Sequence, residues 1–282
     1  MCIESLKQCP EAIESDLVIF SDDAPDKYSR NSVDNVRDYI KSIVGFKSIS
    51  IIIREKNFGV DNNIIEGIKY MSEYYDSFIV VEDDLVVSSN FLSFVNACLI
   101  KYKNYEQVLT VSAFNSISIP HKYIWDCYFA KISNPWGWAT WSEKIKKVDW
   151  ELAIKNDFSK SLLEQKSFNS IGSDRSRMLL RTLKGDIKAW DIRLDYYLFK
   201  TKNLTVYSSN NFVLNIGFNS DATNTFGYNR YKSSLKEVND KKRFKLPDSL
   251  IINKLLIRRS VFKNSFLLRI KTVFFKLIDI KN

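Results

Sequence analysis

Between residues 16 and 114, short β-branched runs alternate with amphipathic helical stretches, and this alternation constrains the fold more than any other feature. "DLVIFSDD" (16–23) is an apolar strand ending in acids, and "NSVDNVRDYIKSIV" (31–44) sets Val33, Val36, Ile40 and Ile43 at helical spacing behind an Asn/Ser cap. "SISIIIRE" (48–55) is a second strand, and "GVDNNIIEGIKYMSEYY" (59–75) places Ile64, Ile65, Ile68 and Met71 on one helical face. "FIVV" (78–81) is a third strand, "SSNFLSFVNACLIKY" (88–102) a Ser-capped helix and "QVLTVSAF" (107–114) a fourth strand. Such alternation predicts βαβ units, right-handed crossovers and a mostly parallel sheet flanked by helices. Ligands of such sheets bind outside the carboxyl ends of the strands. Asp22, Asp23, Arg54, Glu82, Asp83 and Asp84 all fall there.

A chain of 282 residues, 45% hydrophobic and 14% aromatic, can bury one large core, alone or with an appendage. The cysteines (2, 9, 98 and 127) form no C-x-x-C pair, and His121 is the only histidine. That pattern suits reduced thiols and argues against zinc chemistry or a Ser-His relay. No apolar run is long enough to cross a bilayer, and the first residues lack a signal-peptide pattern. The expectation is a cytoplasmic chain.

The formal charge of +9 is segregated: residues 241–282 hold 12 Lys/Arg and 2 Asp/Glu, whereas residues 1–240 hold 30 and 31. A nucleic-acid-binding body would be basic along its main surface; this one is neutral. No nucleic-acid partner is expected. The basic tail points instead to an anionic membrane surface, reached from the inner face of the plasma membrane.

Three motifs carry chemistry. "VVEDDLVV" ends a strand on three adjacent carboxylates, which reads as a solvated acidic turn or as a site whose cation relieves their repulsion. "NPWGWATW" holds Trp136, Trp138 and Trp141, either a core cluster or a platform for a sugar ring. "SDRSRMLLRTLKGDIKAWDIRLDYYLFKTKN" (173–203) predicts two helices, the second opening at Trp190–Asp191, where Asp191 reads as a helix cap if taken alone.

In that order these segments resemble the GT-A-type nucleotide-sugar glycosyltransferases, in particular N-acetylglucosaminyltransferase I and its bacterial surface-polysaccharide relatives. "VVEDDLVVSSNFLSF" resembles that family's Glu-Asp-Asp strand and following helix. "LTVSAFN", "NPWGWATW", "AWDIR" and "NIGFNSDATNT" (215–225) resemble its later segments. The likeness runs from about residue 2 to 227 and divides the chain into a GT-A-like domain (1–240) and a basic amphipathic helical tail (241–282). It implies a metal-dependent, inverting sugar transfer from a nucleotide-sugar donor, UDP-linked, to a glycan or lipid-linked acceptor. Carried over, Asp84 with Asp83 holds Mn²⁺ or Mg²⁺, and Glu82 faces the donor. Asp22, Asp23, Arg54 and Asn62 surround the nucleotide. Asp191 is the catalytic base, and Trp136 and Trp190 face the sugars.

The chain departs from that pattern twice. Ala222-Thr223-Asn224 stands where bacterial relatives carry Gly-Thr-His, and "MCIESLKQCPEAIESD" already resembles the family's first helix. A sheet lacking its first strand is therefore expected, and an inactive truncated remnant is the competing reading. In the tail, Phe262, Phe266, Ile270, Val273, Phe274 and Leu277 recur at helical spacing among basic residues. This predicts a helix lying on the membrane interface or docked on the body.

Overall fold

The computed structural model describes residues 1–153, 155–218, 231, 234–236, 243–268 and 270. The protein is α/β, with a mixed central sheet between helical layers. In chain order the elements are α1 (Cys2–Leu6), β1 (Asp16–Ser21), α2 (Arg30–Lys41), β2 (Ser48–Ile53), α3 (Gly59–Tyr74), β3 (Ser77–Val80), β4 (Leu85–Val87), α4 (Phe91–Tyr102) and β5 (Val108–Ser112). There follow β6 (Cys127–Ala130), β7 (Trp138–Trp141), α5 (Ser142–Ile145), α6 (Lys155–Lys160), α7 (Leu162–Phe168), α8 (Arg175–Lys184), α9 (Trp190–Thr201), β8 (Leu204–Ser208), β9 (Val213–Asn215) and α10 (Lys254–Lys263).

The first half follows the predicted alternation to within a few residues at each boundary. The sheet does not follow the expectation of a mostly parallel array. β1 and β2 pair in parallel as a separate ribbon, and the five-stranded sheet runs β3-β7-β5-β8-β6 with only β5 and β8 parallel. β7 is inserted antiparallel between β3 and β5, and β6 closes the far edge antiparallel to β8. Both inserted strands are four residues long and wholly buried, so neither shows the alternating polarity that marks a strand in sequence. β1 pairs only with β2, and β3 only with β7, so each keeps one edge without a strand partner among the described residues.

Two cores sandwich the sheet. On one face α4 packs Phe91, Phe94, Val95 and Cys98 against Val111, Ala139, Trp141 and Val206. On the other, Ile65 and Ile68 of α3 and Trp190, Leu194 and Leu198 of α9 pack against Phe78, Leu109 and Trp138. The predicted apolar face of α3 is thus its buried face. That of α2 is only half used: Ile40 and Ile43 are buried, and Val36 stays exposed.

Lys144 has its ammonium inside the protein. It donates to the carbonyls of Tyr102, Tyr105 and Val108 at 3.3, 3.0 and 3.0 Å and lies 4.0 Å above the Trp141 ring. Those carbonyls end α4 and lead into β5, so one side chain caps the helix and fixes the turn.

The described part of the tail packs on the body. Phe244, Leu246 and Leu250 pack against the α4 core, and Tyr102 donates to the Pro247 carbonyl at 3.1 Å. α10 buries Leu256 among Ile117, Tyr128, Ala130, Ile132 and Tyr207. Leu255, Phe262, Phe266, Leu267 and Ile270 remain exposed. Val273, Phe274 and Leu277 lie outside the described residues, as do Ala222, Thr223 and Asn224. No helix among the described residues is long and apolar enough to cross a membrane.

Candidate functional site

β3 ends at Val80 and the chain turns through Glu82–Asp84, the Leu85 amide bonding the Glu82 carbonyl at 3.2 Å, before β4 begins. β4 pairs antiparallel with β9, Leu85 opposite Asn215, which draws the 215–218 segment over the acidic turn. Asn215 Nδ2 donates to Asp84 Oδ2 at 2.9 Å, and the Ile216 amide donates to the Asp84 carbonyl at 2.9 Å. From the other side, Cys2 Sγ donates to the Glu82 carbonyl at 3.5 Å and Ser5 Oγ accepts from the Val87 amide at 3.0 Å. The turn is gripped from both flanks.

Its carboxylates are electrostatically crowded. Burial pushes Glu82 up to about 8, helped by the negative charges of Asp84, Asp191 and Asp83. Burial also raises Asp84 above the ordinary carboxylate range, with Asn215 opposing and Asp83 adding to the rise. Asp84 Oδ1 is buried with no hydrogen-bond partner. An unpartnered buried carboxylate oxygen is costly, and a cation is what would satisfy it. A side chain at Gly217 would put its Cβ 2.4 Å from Asp84 Oδ2, so only glycine leaves the approach to that oxygen open.

Among the described residues no group of three or more His, Cys, Asp or Glu forms a metal cage. The carboxylates at this turn that a cation could meet are Asp84 and the exposed Asp83. Hard oxygen donors in small number suit Mg²⁺ or Mn²⁺, ions that keep several waters and take phosphate oxygens as further ligands.

Asp191 lies in the first turn of α9 and accepts from its own amide and that of Ile192. Burial raises its pKa and the Arg175 guanidinium works against the rise. Its charge adds to the rise at Glu82, although the chain separates the two by more than a hundred residues. Asp191 lines a cavity of about 210 Å³ with Trp136, Ser133, Asn134, Arg175 and Tyr231. The Trp136 ring is held edge-on by Phe114, Tyr231 and Phe218 at centroid distances of 4.7, 5.7 and 5.8 Å. Phe218 belongs to the segment that covers Asp84, which joins the aromatic wall to the acidic turn.

Gly137, next to Trp136, has φ +62°, and a Cβ there would meet Val213 at 2.7 Å and Phe91 at 2.9 Å. The glycine in "NPWGWATW" is thus required by close packing between β9 and α4.

Trp190 is placed otherwise than expected. Its side chain is 4% exposed and stacks on Trp138, centroids 5.5 Å apart, so it offers no open face to a sugar. Trp138 and Trp141 are core residues as well, which leaves Trp136 as the one tryptophan of the motif on the cavity wall.

The other predicted residues gather at the ends of β1 and β2. Asp22 accepts from the amides of Phe58 and Gly59 at 2.8 and 2.9 Å, anchoring the start of α3. Asp23 is held by Arg30 in a two-pronged contact of 2.7 and 2.9 Å and by Arg37 at 3.2 Å; its bond to Arg30 holds it below the usual carboxylate range. Both carboxylates are engaged within the chain. Arg54 donates to Asn63 at 3.0 Å, and its guanidinium lies 4.6 Å from the Phe58 ring centroid and 5.6 Å from that of Phe20. Asn62 is exposed on the first turn of α3. These residues form a second cluster, joined to α9 through α3.

The joint is Asp61, a residue that sequence reading passed over. Buried at 5% exposure, it accepts from the Trp190 amide at 3.0 Å and lies 3.6 Å from Arg193.

Arg175 and Asp195 were passed over too. Arg175 is buried and meets Asp195 at 2.9 Å and Asp174 at 3.4 Å. Asp195 also accepts from the Ser133 amide and hydroxyl, both at 2.7 Å. Burial pushes Asp195 up to about 6 in spite of Arg175, because one guanidinium is shared among Asp195, Asp174 and Asp191. The signal was present in sequence: Asp191 and Asp195 stand at i and i+4 and so share one face of α9.

The chain matches no protein-family model, and no curated protein matches it.

Proposed function

We propose that this protein is a GT-A-type glycosyltransferase that moves a sugar, with inversion, from a nucleotide-sugar donor to a hydroxyl of a glycan or lipid-linked acceptor in surface-polysaccharide synthesis. One observation carries the reading: Asp191 and Trp136 line one cavity, and the Trp136 ring meets Phe218 of the segment whose Asn215 binds Asp84. Acidic turns are common. One that meets a half-buried acid beside an aromatic-walled cavity has the parts for glycosyl transfer.

Asp84, with its unpartnered Oδ1, and Asp83 would hold Mn²⁺ or Mg²⁺. When bound, the ion offsets the charge that builds on the departing nucleoside diphosphate. Asp191 takes the proton of the acceptor hydroxyl as its oxygen forms a bond to the anomeric carbon. The bond from that carbon to the phosphate oxygen breaks on the opposite face, and the nucleoside diphosphate leaves with the electron pair. Trp136 offers an apolar edge to the sugar, and the Arg175 charge opposes the rise in pKa that burial imposes on Asp191. Asp22, Asp23, Arg54 and Asn62 form the neighbouring cluster into which the nucleotide base would extend.

The test is release of UDP from UDP-sugars with Mn²⁺ and an acceptor, measured for the protein and for Asp84→Asn and Asp191→Asn. Turnover that both variants retain would overturn the assignment.

A further inference from the structure

α10 presents two unlike faces. Leu256, Ser260 and Asn264 face inward, and Arg259 Nη1 donates to the Ser118 carbonyl. Leu255, Arg258 and Phe262 follow one another at helical spacing on the outward side, with Leu255 48% and Phe262 52% exposed. Between this helix and the Ile117–Ser118 segment runs a groove of about 500 Å³, lined by Ile117, Ser118, Arg258, Arg259, Phe262 and Lys263. Its charged residues are all cations. Among the described residues neither Arg258 nor Lys263 forms an ion pair, and burial lowers the pKa of the Lys263 ammonium. A partly desolvated ammonium without a carboxylate is stabilised by any anion that reaches it.

The groove is joined to the candidate active site. Ile117 and Lys263 line the groove and also the cavity that contains Asp191. A molecule with a phosphate in the groove would place its next groups in that cavity.

We propose that this groove binds the phosphate of a lipid-linked acceptor: Lys263 and Arg258 hold the phosphate, the lipid lies over Phe262 and Leu255, and the sugar enters the Asp191 cavity. The lipid, rather than a free phosphate, follows from the exposed apolar residues beside the cations. Phe266, Leu267 and Ile270 extend that apolar surface past the groove, and a small soluble phosphate would make no use of it. The acceptor role rests on the transferase reading; the phosphate-lipid site does not.

The experiment is vesicle flotation with the full chain, free of donor. Three probes are compared: phosphatidylcholine vesicles carrying a polyprenyl phosphate, phosphatidylcholine vesicles carrying phosphatidylglycerol at the same surface charge, and inorganic pyrophosphate as competitor. The protein should prefer polyprenyl phosphate at matched charge. Arg258→Gln with Lys263→Gln should lose about thirtyfold in that binding, the effect of two basic residues at a lipid phosphate. Lys47→Gln with Lys56→Gln, which removes the same charge elsewhere, should lose nothing, and Lys263→Arg should retain the preference. Equal binding to both vesicle types, or equal loss in both double variants, would reduce the groove to general surface charge and overturn the proposal. Displacement by inorganic pyrophosphate as effective as by the lipid would overturn the lipid assignment. The two readings separate in Asp191→Asn. Lost turnover with an unchanged groove phenotype in Arg258/Lys263 defeats the subsite alone. Normal turnover in Asp191→Asn with the lipid preference intact defeats the transferase reading alone.

Discussion

The carboxylate of Asp61, on the first turn of α3, accepts a hydrogen bond at 3.0 Å from the amide of Trp190, the first residue of α9, 129 positions later in the chain. It satisfies one of the amides left free at a helix start and so sets where Asp191, the next residue, sits. Asp61→Ala should destabilise the fold by about 2–4 kcal/mol, since it strands a buried amide and the Arg193 charge. Urea melts will measure this. Turnover should fall further in Asp61→Ala than in Asp61→Asn, which keeps an acceptor. A stability loss with equal turnover in both would leave Asp61 a purely structural residue.

Asp84→Asn should abolish binding of Mn²⁺ with UDP while leaving the melting temperature unchanged or higher. The wild-type carboxylate is raised in pKa by burial, so neutralising it relieves a cost rather than adding one. Titration calorimetry with Mn²⁺ and UDP, paired with a thermal melt, decides it. Undiminished binding would remove Asp84 from the metal site.

Asp191→Asn should lower turnover by a factor on the order of 10² or more with little change in donor affinity, as expected for loss of a general base. The check is steady-state kinetics beside UDP binding. A variant that is merely less stable, with normal turnover, would mark Asp191 as a helix cap.

Asp195 gives a pH signature. Its folded pKa, about 6, lies above the ordinary aspartate value of 3.8, so between the two the folded state keeps a proton that the unfolded state has already released. The stabilisation from this group is full below about 4 and is lost as pH rises through about 6. Measured against Asp195→Asn, wild-type stability should therefore improve between pH 7 and pH 4, by on the order of 2–3 kcal/mol. A pH-independent difference between the two melting curves would contradict the assignment.

Lys144→Met preserves bulk but removes the ammonium from three carbonyls between the end of α4 and the start of β5, two of which keep a backbone donor. The expected loss is about 2–4 kcal/mol, the range for buried bonds to a charged group. Chemical denaturation should show it with no change in Mn²⁺ binding. A neutral effect would mean that water replaces the ammonium.

The residues alone determined the repeating strands and helices of the first half, because β-branched runs and a 3.6-residue apolar period report local burial directly. The start of α9 at Trp190 was legible for the same reason, as was the acidic turn, where apolar Phe78–Val81 gives way abruptly to Glu82. The tertiary structure alone decided the sheet. Four-residue strands such as β6 and β7, buried on both faces, have no polar alternation to betray them, and their pairing depends on partners distant in the chain. It also decided which tryptophan meets solvent: Trp136 and Trp190 have the same side chain, but stacking on Trp138 removes Trp190 from the surface. Asp61 and Arg175 were silent in sequence, and the i, i+4 spacing of Asp191 and Asp195 gave a shared helix face but not its burial, because a buried ionisable group is defined by what surrounds it. That surrounding is made by the packing of α3, α8 and α9, and no local pattern records it.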